Sequence, residues 1–254
     1  MMGGAGRFLR KEVSEHLHTW RLPVLGGVFL FFALTGPVLA MLTPALLRSV
    51  QASQPGLVIQ IPVPGWRDAY VQWIKNLSQI GAFVMILAAA GSVSGEVSKG
   101  TAVLVLTKPL TKSDFIVCKV VVFFGLVVAE VVLGTLVTQA VTLLVFGSAP
   151  WAAIWMPTIV WLAFAALLIA IATLMSSIAP TLAAAGLGLV AFFALSIAAM
   201  WGPLARFSPA GLSFALSRLL FGQPVALAWP LVTAAAATLA ITAAAALLFS
   251  RREL

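Results

Sequence analysis

The sequence predicts an all-α, polytopic membrane protein with six transmembrane helices. Three observations predict it. The 254 residues are 62% hydrophobic and only 9% charged, whereas a soluble domain is nearer half apolar and a quarter charged. A chain so poor in polar side chains cannot cover itself with a water-facing surface. Its apolar residues fall in six long runs, near the roughly 20 residues a helix needs to cross the hydrocarbon core. None of these runs alternates as barrel strands do, and a helix satisfies its backbone hydrogen bonds internally.

Residues 7–21, RFLRKEVSEHLHTWR, precede the first run. Phe8, Leu9, Val13, Leu17 and Trp20 fall near one helical face, with Arg7, Arg10, Lys11, Ser14, His18 and Arg21 on the other. This predicts an amphipathic elbow helix lying in the membrane interface, its cations near anionic headgroups. His16 and His18 point to different faces, so they predict no shared metal site.

The spans are read at 22–47, 77–93, 115–146, 152–178, 181–201 and 225–249. The first exceeds the 7–15 residues or so of a signal-peptide core, so it is read as a retained span. Gly36-Pro37 predicts a kink within it. Pro180 divides the fourth span from the fifth, because proline disfavours helix at the residue before it. In the 48–76 connector, Trp66, Tyr70, Trp73, Leu77 and Ile80 share a helical face, and Trp and Tyr favour the interface belt. An interfacial helix leading into the second span is expected. The 202–224 segment suggests one or two short surface or re-entrant helices.

The fifth and sixth spans carry TLAAAGLGLV and VTAAAATLAITAAAALLF. Small residues let membrane helices approach closely, so these spans are expected to pack inside the protein. The bulkier second and third are expected to face lipid or a larger interface.

Six crossings put both termini on one side. That side then holds Arg7, Arg10, Lys11, Arg21, Lys99, Lys108, Lys112, Lys119, Arg251 and Arg252, against Arg48, Arg67, Lys75, Arg206 and Arg218 on the other. Ten against five predicts cytoplasmic termini in the plasma membrane. The net charge of +8 is therefore a topology signal, and no nucleic-acid partner is predicted.

The chain carries little chemistry. It has no G-x-x-x-x-G-K-[ST] phosphate loop and no H-E-x-x-H. Its two histidines precede the first span, and its one cysteine, Cys118, forms no disulfide within the chain. No serine hydrolase base lies in the bundle. The chain is read as no enzyme, with no catalytic residue and no metal site. Glu130 is the one acid deep in a span. It lies about 16 Å along the helix from Lys119, and an acid at that depth usually points inward. It is either a point on a translocation path or a proton site, or a protonated carboxyl hydrogen-bonded to Thr135, Gln139 or a serine of another helix.

The 94–114 connector, SGEVSKGTAVLVLTKPLTKSD, gathers Glu96, Lys99, Lys108, Lys112 and Asp114, with Lys119 just beyond. Thr111-x-x-Asp114 is a capping-box pattern, and Pro109 breaks the helix before it. The stretch therefore reads as a short helix, a break and a capped new helix. By itself this also fits an ordinary charged inner loop. The residues Ser94-Gly95-Glu96, Gly100-Thr101, Leu106-Thr107, Pro109-Leu110-Thr111-Lys112, Asp114 and Lys119 nevertheless resemble the cytoplasmic segment of the ATP-binding-cassette type-2 permease family. Its pattern is close to S-G-E-[RK]-x-x-G-T, then L-[ST]-x-P-[VIL]-[ST]-[RK]-x-[DE] and a lysine. Val97 stands where a basic residue is expected, and Lys112 where arginine is common.

The resemblance implies a permease subunit of an ATP-driven exporter. A separate cytoplasmic ATPase would carry ATP and Mg, and a second permease copy or homologue would complete a dimer. It makes the connector a coupling helix, with Gly95, Glu96, Lys99, Gly100, Thr101 and Lys112 as ATPase-coupling residues. An amphipathic, lipid-like, peptide or drug-like substrate is expected, since no charged cavity is evident. The rival readings are a membrane scaffold or sensor that transports nothing, and a proton-coupled secondary transporter using Glu130.

Overall fold

A computed structural model describes residues 4–19, 21–53, 63–106 and 111–252. An amphipathic α1 (Gly4–His18) is followed by a long α2 (Arg21–Ser53). The second crossing is built from α3 (Trp66–Asn76), a π-helical turn at Leu77–Gly81 and α4 (Ala82–Ala90). Short α5 (Ser94–Ser98) and α6 (Thr101–Leu106) form the connector. Then come α7 (Lys112–Phe146), α8 (Trp151–Ile178) and α9 (Thr181–Ala198). Short α10 (Gly202–Phe207) and α11 (Gly211–Leu220) lead to α12 (Ala228–Ser250). Six helical stretches are long and apolar enough to cross a membrane, and no strand occurs among the described residues. The protein is an all-helical multi-pass membrane protein.

The predicted punctuation is present. Thr111 caps α7, its hydroxyl accepting the Asp114 amide at 3.0 Å. Gly147, a stop not predicted from the sequence, ends α7 in the left-handed conformation, φ 66°. Ala179 and Pro180 are extended between α8 and α9. The first crossing runs on through Pro37 and Pro44 to Ser53, six residues beyond the expected end at Leu47. The predicted helix break at Pro109 lies outside the described residues.

Two packing expectations are corrected. The helix expected at the interface, α3, is instead part of the core. Tyr70 and Trp73 are fully buried. The Trp73 indole donates to Thr135 on α7 at 3.2 Å, and Tyr70 hydroxyl donates to the Pro150 carbonyl at 3.4 Å. A buried indole or phenol needs such a partner for its polar end. Gly134 makes room for the ring: a Cβ there would lie 2.5 Å from Trp73.

The order of burial is also reversed. In the most apolar stretch of each crossing, 61% of residues are buried for the second and fourth, against 22% and 17% for the fifth and sixth. Alanines do let α12 approach α8 closely, with Ala234, Ala245 and Ala246 buried. They form one narrow face, however, and the rest of α9 and α12 looks outward. Bulky side chains on α3, α4 and α8 fill the centre because they bury more area per residue.

Candidate functional site

The face carrying both termini holds a buried ionic junction. It starts from a register between α1 and α7. Phe8, Glu12 and His16 are spaced by four, so they form one stripe on α1. Each meets the residue 107 positions later on α7. Phe8 packs on Phe115 at 5.5 Å between ring centroids, Glu12 accepts from Lys119 at 3.1 Å, and His16 lies 5.8 Å from Phe123. The constant offset means that α1 runs parallel to the start of α7. Val13 and Leu17, on the predicted apolar face, are exposed. The helix thus has a protein-facing stripe beside its lipid-facing one. Trp20, also assigned to the apolar face, lies outside the described residues.

Glu96, on α5, closes the junction. The Lys119 ammonium donates to Glu96 at 2.5 Å, and the side chains of Lys119, Glu12 and Glu96 are 2%, 1% and 12% exposed. Lys11 caps the group, reaching Glu12 at 3.1 Å, Glu96 at 3.7 Å and, more closely, Glu15. Burial alone would lower the Lys11 pKa. The hydrogen bond that Lys11 donates to Glu15 and the fields of Glu12 and Glu96 outweigh it, so Lys11 sits above its ordinary value. Burial would likewise raise Glu15, but its hydrogen bond and ion pair with Lys11 hold it below the usual carboxylate range. The Glu12, Glu15 and Glu96 oxygens lie within 4.8 Å of one another. Lys11 and Lys119 already neutralise much of their charge, so the arrangement is an ion-pair network.

Hydroxyls tie α5 to the other crossings. Ser176, at the end of α8, accepts the backbone amides of Val93 and Ser94 at 3.1 and 3.0 Å. Ser94 hydroxyl lies 2.8 Å from that of Thr181 on α9. Lys112 donates to the Arg252 carbonyl at 2.7 Å, and Arg252 to the Ser177 carbonyl at 2.9 Å. The end of α12 is thereby joined to α7 and α8.

The six predicted coupling residues fall into three groups. Glu96 and Lys112 are engaged within the chain. Gly95 is half-buried beside a cavity of about 530 Å³ between α1 and the connector. Lys99, Gly100 and Thr101 form an exposed tip. Gly100 has φ 71°, a left-handed turn suited to glycine, and Thr101 hydroxyl donates to the Glu96 carbonyl at 3.2 Å. Glu12 and Ser176 were not picked out from the sequence. Glu12 was detectable as an acid spaced by four between Phe8 and His16. Ser176 offered no such signal.

Glu130 stands apart from this junction, against Gly26 of α2: a Cβ on Gly26 would lie 3.3 Å from its carboxylate. Neither carboxylate oxygen has a hydrogen-bond partner among the described residues. The partners expected from the sequence are used elsewhere. Thr135 donates to the Val131 carbonyl at 2.7 Å, and Gln139 to that of Ala149 at 3.4 Å.

Residues 57–254, from the connector before α3 to the C-terminus, match the sequence profile of a family described as protein of unknown function (DUF2705). The chain belongs to the DUF2705 family. Within the DUF2705 match fall Glu96, Lys119 and Ser176, whereas α1 and Glu12 precede it. The chain is also similar to the uncharacterized transmembrane protein YxlG of Bacillus subtilis (strain 168). The two are 24% identical over 111 residues, which is 44% of this chain and 43% of that relative. The match thus spans less than half the relative's length.

Proposed function

We propose that this DUF2705 member is the permease subunit of an ATP-driven exporter in the plasma membrane. Its termini and connector face the cytoplasm, and a separate ATP-binding-cassette ATPase docks on the connector. The observation that carries the reading is the mounting of α5. Its tip, Lys99–Thr101, is exposed, while Glu96 one turn earlier is clamped to α7 and α1 through Lys119. A force applied at the tip would reach the third crossing through a buried ion pair rather than be lost in a loose loop. Such transmission becomes a mechanism when nucleotide favours one of two packed states. The SGE…GT…TKSD resemblance and the ten-to-five distribution of basic residues support the same reading. The two permeases of the complex would be identical or homologous.

Purification in mild detergent tests it. An equimolar ATPase is expected to accompany the chain, and a chain that purifies without one contradicts the proposal. The unpartnered Glu130 carboxyl favours one rival, proton-coupled transport. Substrate movement that persists without any ATPase and stops in Glu130→Gln would establish that rival instead.

A further inference from the structure

Two cavities on the face opposite the termini meet along a shared wall. One, of about 420 Å³, lies beside α10 and α11 and is lined by Arg206 and Arg218. The other, of about 490 Å³, runs between the π turn, α4, α8 and α9, and is lined by Phe83, Phe164, Phe192 and Phe193. Ala199, Met200 and Phe214 line both. Phe214 also links the two chemically, its ring centroid lying 4.5 Å from the Arg218 guanidinium. Neither arginine has a carboxylate partner among the described residues.

The construction is specific at both ends. Ala205 and Gly211 pack so tightly at the α10–α11 corner that a Cβ on Gly211 would lie 1.9 Å from the Ala205 carbonyl oxygen. That corner fixes the helices that carry the two arginines. In the apolar cavity, Phe83 meets Phe192 and Phe193 edge-on, at 5.6 and 5.5 Å. The π turn, a distortion often found at functional sites, brings Ser78 and Gln79 to the wall. Ser78 hydroxyl is buried there without a hydrogen-bond partner.

We propose that the joined cavities bind a phosphate-headed amphiphile, an anionic phospholipid of the leaflet opposite the termini. Its phosphate lies on Arg206 and Arg218, and its acyl chain lies along the phenylalanine wall. Guanidinium groups match phosphate oxygens in charge and planar geometry. An apolar cavity with few polar groups suits the chain. Free phosphate would leave the aromatic cavity unused, and a zwitterionic lipid would bring an added cation to the arginine pair. Binding requires only this chain, so the proposal stands apart from ATP-driven transport.

The test uses the purified full chain in mild detergent, titrated with dioleoyl phosphatidic acid, dioleoyl phosphatidylcholine or inorganic phosphate. Binding is followed by thermal shift and native mass spectrometry. Phosphatidic acid is expected to bind and raise the melting temperature. The Arg206→Gln/Arg218→Gln double variant should bind it about tenfold more weakly or worse, and Phe193→Ala should also weaken it. Both arginines are exposed, so the double variant should melt as the wild type does without lipid. Arg206→Lys/Arg218→Lys, which keeps the charge, should restore much of the binding. Unchanged phosphatidic acid affinity in the glutamine variant overturns the proposal. So does equal stabilisation by phosphatidylcholine or by inorganic phosphate.

Discussion

Lys119 holds Glu12 and Glu96 from the buried side of the junction, while Lys11 reaches the same two carboxylates from its more exposed side. Removing it as Lys119→Met leaves Glu12 and Glu96 buried beside each other with only the half-exposed Lys11 nearby. Breaking one partner of a buried pair costs about 3–5 kcal/mol, whereas neutralising all partners together is often nearly neutral. The single variant should therefore lose much of its thermal stability in mild detergent. A Glu12→Gln/Glu96→Gln/Lys119→Met triple variant should regain most of it, and equal melting of single and triple variants contradicts the assignment. Lys11 and Glu15 give the pH dependence at the same site. Glu15 is depressed when folded, so its contribution is present above its ordinary value and is lost as pH falls through the folded one. Lys11 is raised, so its contribution holds below its ordinary value and is lost in strong alkali. Melting temperature should fall on acidification below about pH 4.5, and Glu15→Gln should flatten part of that fall.

Helix against helix, the decisive contact is Trp73 over Gly134. Gly134→Ala places a methyl where the indole lies and should destabilise by about 1–3 kcal/mol through overpacking. Trp73→Phe removes the atoms that clash, together with the hydrogen bond to Thr135. Combining the two should therefore cost less than the sum of the single variants, and an additive double-mutant cycle would refute the contact. This contact also marks the limit of what the sequence reveals. The crossings, the Thr111 cap and the Ala179-Pro180 break were legible because each rests on local chemistry: apolar length, a hydroxyl at a helix start, a ring that disfavours helix before it. Which face of Trp66–Asn76 meets protein rather than interface was not, since aromatic spacing is the same for both. The same ambiguity hid the outward position of α9 and α12. Small residues signal close approach but not how many neighbours a helix has. Glu96 was legible within the connector motif. Its partner Lys119 closes the same motif, whereas Glu12 joins them only through the parallel register of α1 and α7, which no local pattern encodes.

For the whole molecule, the connector separates a holding function from a presenting one. Glu96 and Lys112 face inward and hold the connector to the bundle, whereas Lys99–Thr101 face outward at its tip. Opposite-charge substitutions should separate the two functions. Lys99→Glu alters an exposed residue without an ion pair among those described, and surface changes of this kind usually shift stability by about 0.5 kcal/mol or less. It should insert and melt as the wild type does, yet lose the co-purifying ATPase or leave its hydrolysis uncoupled from transport. Glu96→Lys instead adds a third cation beside Lys11 and Lys119, so it should lower stability and ATPase association together. Equal ATPase recovery with wild-type and Lys99→Glu chains would leave the tip without a docking role. If Glu96→Lys alone then lost the ATPase, in step with its loss of stability, the connector would act only as a clamp within this chain, and the docking surface would have to lie elsewhere on the face that carries the termini.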